Sequence, residues 1–309
     1  EANHLLKGDD IIKQIEKNIP GTFMFYYIKF YHSKNLGDQD FHLLEKAYEI
    51  NPEYCELYDD FVVHYEIANT REKRKEINIK WYKSNDFSEN LLNFYYNLLT
   101  PLKQNSILFT YGDNPLMASF MLQDALSHRE DVHVLNTGLL VGELEYRNAI
   151  FKRLNIPELN KTFSNGQNNE NMTEIIDYII ANKPKDTPVY FGIGINNSIK
   201  KKYEDKLYLV GLALEYSETN IDNLAELINS FENKYLLDYL TIQFKYDVYK
   251  HSADVNYIHG ITVLYDHYKA SGNLSKTNEM KELALLIGEH INTEGLQQYK
   301  DYINYYFNK

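Results

Sequence analysis

A single cysteine, Cys55, occurs in 309 residues. No intramolecular disulfide and no cysteine-rich zinc site can form from it. Cysteine poverty suits the cytosol and equally a periplasmic protein that does without bridges. Positive charge is also short: 32 Lys and Arg stand against 44 Asp and Glu, a formal net charge of −12. A generic phosphate binder needs the opposite balance, so neither nucleic acid nor an anionic membrane surface is an expected partner. No apolar run approaches the roughly 18 residues of a membrane span. The polar start Glu1-Ala2-Asn3-His4 lacks the apolar core of a signal peptide, which a mature form would not carry.

Catalytic fingerprints are missing as well. The chain has no Gly-x-x-x-x-Gly-Lys-Ser/Thr loop, no Gly-x-Ser-x-Gly elbow and no His-Glu-x-x-His pair. Gly192-x-Gly194 is not a dinucleotide fingerprint, because Asn197 stands where the third glycine belongs. His251, His259 and His267 recur at a spacing of eight, and ligands two helical turns apart span about 12 Å, too far for one metal. Neither a cofactor nor a metal is expected. Glu143 and Glu145 lie two apart on a helix and point apart. Acids are so plentiful that no glycosidase-type pair stands out.

What the chain has in excess is tyrosine, 28 residues against 15 Phe and 1 Trp. Tyrosines suit helix–helix seams, with rings packed and hydroxyls reaching water; an aromatic binding surface is the alternative. Cys55, beside Tyr54 and Leu57, reads as a small core hydrophobe.

The first hundred residues read as helices. Gly21 to Lys34 is followed by a break at Gly37-Asp38, with Asp38 placed to cap a second helix through Ile50. Asn51-Pro52 ends that helix and opens a third to Asn69; a fourth spans Arg71 to Lys83. Ala47-Tyr48 recurs as Trp81-Tyr82, and Asn51 recurs as Asn85, a shift of 85 − 51 = 34, the tetratricopeptide (TPR) period.

After Pro101 the pattern changes. Ser106–Thr110, Asp131–Leu135, Pro188–Gly192 and Lys206–Val210 are short apolar runs bounded by turn residues, and they predict four strands. Helices are expected at 115–127, from Asn136-Thr137-Gly138 to Leu154, and at 172–182. The polar loop 160–171 reads as mobile. From Asp254 to Lys269 and from Leu274 to Ile291 the pattern is a helical hairpin around Ala270-Ser-Gly-Asn273, and a last helix holds Tyr299 to Phe307. The expected fold class is mixed α and β and helix-rich. TPR-like hairpins at 1–100 and 217–309 flank a small, mostly parallel α/β unit at 101–216.

Strand tips in a parallel sheet fall on one edge, where ligands of open α/β sheets bind. Three polar tips are candidates: Asp113 and Asn114 after the first strand, Asn136 and Thr137 after the second, Asn196 and Asn197 after the third. Asn114 is placed to cap a helix and Pro115 to occupy its first position. Such a cluster suits a polar, neutral ligand such as a glycan or a peptide backbone.

Asn105-Ser-Ile-Leu-Phe-Thr-Tyr-Gly-Asp-Asn114, Met121-Leu-Gln123, Arg129-Glu-Asp-Val-His-Val-Leu-Asn136 and Leu139-Leu140 resemble a signature in large membrane proteins of Bacteroidetes. Those proteins are glycosyltransferase-like and similar to protein O-mannosyltransferases. They carry a multi-pass membrane domain followed by a soluble region with this signature and TPR-like helices. The resemblance covers roughly 101–309 and continues more weakly at Pro188–Phe191 and Leu209–Ala213. The sequence departs from it at Pro115, where the family has a second Asp, and at Phe120-Met121, where it has an aromatic pair. These 309 residues include no multi-pass membrane domain. The resemblance therefore implies the fold and a periplasmic or outer-membrane-associated envelope location, not transferase activity. The expectation is a binding or assembly module for a protein or peptide partner. The alternative is a carbohydrate-binding or carbohydrate-active protein using Asp113.

Overall fold

The computed structural model describes residues 8–35, 40–163, 166, 168–242, 252–291 and 294–308. The chain divides into two compact units, 1–63 and 64–309. The fold class is mixed α and β and rich in helix. Among the described residues no helix is long and apolar enough to cross a membrane.

The first unit holds α1 (Gly8–Asn18), α2 (Phe23–Asn35), α3 (Phe41–Ile50) and the start of α4 (Tyr58–Ile67). Its core is Phe30, Leu43, Leu44, Ala47, Phe61 and Val62. The proposed break at Gly37-Asp38 lies outside the described residues. The expected helix from Pro52 starts later, at Tyr58, after a single 3-10 turn at Cys55–Leu57. Cys55 is half-buried at that turn rather than sealed in the core.

The second unit begins with α5 (Arg71–Ser84) and α6 (Glu89–Leu99). There follow β1 (Ile107–Thr110), α7 (Asp113–Leu126), β2 (His133–Asn136), α8 (Thr137–Gly142), α9 (Leu144–Arg153), α10 (Asn169–Asn182), β3 (Val189–Gly192) and α11 (Asn197–Lys201). The hairpin of β4 (Leu207–Leu209) and β5 (Ala213–Tyr216) precedes α12 (Asn223–Asn229), α13 (Tyr257–Ala270), α14 (Leu274–His290) and α15 (Gln297–Phe307).

The sheet has five strands in the order β2-β1-β3-β5-β4. β1 pairs in parallel with β2 and β3, as expected, whereas β5 is an additional strand antiparallel to both β3 and β4. Successive side chains alternate between faces. Ile107, Phe109, Leu135, Val189 and Phe191 join Tyr146, Ile150, Phe151, Ile175, Ile176 and Ile179 in one cluster. Leu108, Val134 and Tyr190 are buried as well. Burial on both faces explains why β1 to β3 read as continuous apolar runs.

The expected single helix from Asn136 to Leu154 breaks at Glu143, whose backbone is extended, to give α8 and α9. The C-terminal hairpin forms as expected: α13 and α14 turn at Gly272, whose φ of +72° is the left-handed conformation that glycine adopts without strain.

The tyrosines explain part of the acid excess. Their hydroxyls reach carboxylates as well as water: Tyr31 donates to Asp60 at 2.8 Å, Tyr203 to Asp177 at 2.8 Å, Tyr239 to Asp254 at 2.6 Å, and Tyr268 to Glu232 at 2.7 Å. Tyr306 donates to Asp266 at 2.6 Å, and that hydrogen bond is the main reason its pKa is pushed up to about 12. These are charge-assisted bonds, the stronger kind, and each pins a ring in its seam. Asp254 is fully buried and also accepts from Asn90 at 3.2 Å, which ties α6 to the start of the C-terminal helices.

Candidate functional site

The parallel register sets Phe109 opposite both Leu135 and Phe191, so the tips after β1, β2 and β3 share one edge. The three tips then part company in what they expose.

The first tip enters α7 earlier than expected. Gly112, with φ +88°, stands at the N-cap position, so Asp113 is the first helical residue, Asn114 the second and Pro115 the third. This corrects the expectation that Asn114 caps the helix and Pro115 opens it. The early N–H groups of a helix lack intrahelical acceptors, so proline at the third position forfeits nothing. Asp113 is exposed and Asn114 half-buried.

The second tip is turned inward. Asn136 is 4% exposed and Thr137 fully buried. The Asn136 Oδ1 accepts from the N–H groups of Gly138 and Leu139 at 2.9 and 3.2 Å, capping α8, while its Nδ2 donates to the Gly112 carbonyl at 2.9 Å. The Thr137 hydroxyl donates to the Thr110 carbonyl at 3.0 Å. Both residues spend their polar atoms on hydrogen bonds within the second tip and across to the first. Substitutions at Asn136 and at the exposed Asp113 should therefore differ in cost. Asn136→Ala should cost about 1–3 kcal/mol, the loss of a buried cap and cross-link. Asp113→Asn should change stability by no more than about 1 kcal/mol. Thermal unfolding of the two variants checks the pair.

The third tip stays open. Asn196 and Asn197 are exposed, Asn196 capping α11 through the Ser198 N–H at 2.9 Å. Behind them lies a cleft of about 640 Å³. The Ile193–Lys200 segment forms one wall, Leu209 and Leu214 of the β4–β5 hairpin line it, and Asn256, His259 and Tyr299 face it from the C-terminal helices. A second trough, about 530 Å³, shares His259 and Tyr299 and runs on past Thr262, Gln298 and Tyr302. The two troughs adjoin at His259 and Tyr299, and the pair is the channel between the sheet edge, α13 and α15.

The Lys200 ammonium donates to the Ile193 carbonyl at 2.7 Å, which folds the wall back on itself. Burial lowers the Lys200 pKa from its ordinary value. His259 is exposed at the cleft, and partial desolvation of its ring, with the Lys200 charge second, lowers its pKa from the ordinary value. Among the described residues, no Asp or Glu lines either trough. Asp113 lies outside both.

Elsewhere in this unit a smaller cavity of about 260 Å³ lies among Tyr82, Phe87, Leu92, Tyr96 and Met121, between helices. Among the described residues no group of three or more His, Cys, Asp or Glu is placed to hold a metal. His251 lies outside the described residues.

Of the six residues singled out by sequence, the cleft gathers only Asn196 and Asn197. Asn256, His259, Gln298, Tyr299 and Tyr302 were missed as site residues. Their only sequence signal is the polar and aromatic face of two helices far downstream. Comparison with family models, with curated proteins and with solved structures finds no match.

Proposed function

We propose that this protein is a binding module that holds an extended peptide segment of a protein partner in the channel between the third strand tip, α13 and α15. The observation that carries this reading is the lining: the amides of Asn196, Asn197, Asn256 and Gln298 and the rings of Tyr299 and Tyr302 line two adjoining open troughs, with no carboxylate among the described residues. An amide side chain both donates and accepts, which matches the alternating groups of a peptide backbone. Tyrosine contributes rigid contact area with few torsions to freeze. Among the described residues the titratable side chains of the lining besides the tyrosines are Lys200 and His259, and amides make up most of its other polar groups.

The resemblance to the soluble region of the glycosyltransferase-like membrane proteins supports an envelope setting for this binding. There the module would serve assembly or partner recruitment rather than transfer. The same amides and rings also suit a glycan, so carbohydrate binding is the competing reading.

An array of short peptides run beside a glycan array tests the proposal. Peptides are expected to bind, and Tyr299→Ala should weaken the best of them about tenfold, the effect of truncating a central aromatic contact. Binding confined to glycans, or peptide binding indifferent to Tyr299, would overturn it.

A further inference from the structure

We infer that the channel recognises a carboxylate on its ligand, held between Lys200 and His259. This deepens the binding reading above and rests on it.

Acids outnumber cations 44 to 32, and three lysines around the same sheet find one. Lys202, two residues on, pairs with Asp177, Lys103 reaches Glu215 at 2.5 Å, and Lys206 reaches Glu218 at 2.6 Å. Lys200 is half-buried and engages only the Ile193 carbonyl, at 2.7 Å; among the described residues no carboxylate reaches it. An ammonium carries three donors, and one hydrogen bond to a neutral carbonyl leaves its charge uncompensated. Drawing a cation out of water without an acid is costly, and it is the arrangement found where a ligand brings the counter-charge.

His259 lies in the same cleft, on α13. Among the described residues, the polar groups that line the troughs with it include Lys200 from α11, Tyr299 and Tyr302 from α15, and Thr262 on its own helix, and none is an acid. Partial desolvation, with the Lys200 charge second, lowers its pKa from the ordinary value, and in its neutral form it offers a single N–H donor. A carboxylate seated between the two groups would compensate Lys200 and stabilise the imidazolium. Binding then takes up a proton, and affinity rises as the pH falls through the His259 pKa of the complex toward that of the free protein.

The carboxylate can come from a peptide C-terminus or from an Asp or Glu side chain. Three probes separate these sources: N-acetyl-Ala-Ala-Ala with a free C-terminus, the same tripeptide as its amide, and N-acetyl-Ala-Asp-Ala amide. Each is titrated into the full chain while the NMR signals of His259, Tyr299 and Asn196 are followed. At least one carboxylate probe is expected to bind about tenfold or more tightly than the neutral amide, the effect of a charge-assisted pair, and to raise the His259 pKa. Lys200→Gln should remove that preference and Lys200→Arg should retain it, with thermal unfolding confirming that both variants fold. If all three probes shift the Tyr299 and Asn196 signals equally, the carboxylate assignment is overturned and the binding reading stands. If none shifts them, both fall.

Discussion

Replacing Arg74 with leucine is expected to destabilise the 64–309 unit by about 3–5 kcal/mol, the largest effect of any single exchange considered. Arg74 is fully buried on α5 and holds Asp124 of α7 with two parallel bonds, Nε to Oδ2 and Nη2 to Oδ1, each 2.8 Å. Its Nη1 donates to Glu66, also fully buried, and its guanidinium lies 3.9 Å from the centre of the Phe120 ring. Arg153 adds a second, longer contact to Glu66 at 3.3 Å, and Asn78 donates to Asp124 at 2.7 Å. Removing Arg74 leaves two acids stranded away from water with only these weaker partners. Domains hold only about 5–15 kcal/mol in total, so the loss approaches global unfolding. Chemical denaturation gives the value. The control is Lys161→Ala, which breaks the exposed pair with Glu174 and should cost no more than about 1 kcal/mol. Equal losses in the two variants would refute the role given to the buried network.

Gly211→Ala should cost about 2–4 kcal/mol, from two sources that add. The turn between β4 and β5 places Gly211 at φ +147°, a conformation that side-chain-bearing residues avoid. A Cβ built there would come within 2.0 Å of the Tyr235 hydroxyl oxygen, too close for any contact. Tyr235 cannot simply withdraw, because its hydroxyl accepts the Leu212 N–H at 2.8 Å in a buried setting. Because the clash is with that oxygen, adding Tyr235→Phe to the glycine variant should cost less than the sum of the two single changes. A sum that is strictly additive would mean the strain lies in the backbone alone.

The parts of this fold that sequence discloses are those whose pattern is local. β1, β2 and β3 carry continuous apolar runs because both sheet faces are covered. β5 escapes notice because Ala213-Leu-Glu-Tyr216 places an acid mid-strand, and Glu215 is tolerated there only through Tyr190 and Lys103, distant in sequence. The α6 helix is likewise masked by Asn90 and Asn97, buried polar residues that pair with Asp254 and with the Leu236 backbone. The cap of α7 shifts because Gly112 takes a positive φ that composition does not announce. The edge formed by three polar tips is legible, but which tip stays open is not. Asn136 and Thr137 are consumed by hydrogen bonds to the neighbouring tip, a consequence of strand register rather than of residue type. The other half of the channel comes from α13 and α15, joined to the third tip only by tertiary packing.

We propose that ligand binding belongs to the channel at the third tip and not to the edge at Asp113. The direct measurement is chemical-shift mapping of the full chain with the best-binding peptide from the array. The expected result is that shifts concentrate in Ile193–Lys200, Asn256–Thr262 and Gln298–Tyr302, with Asp113 and Asn114 unmoved. Shifts centred on Gly112–Pro115, with the channel residues silent, would contradict it.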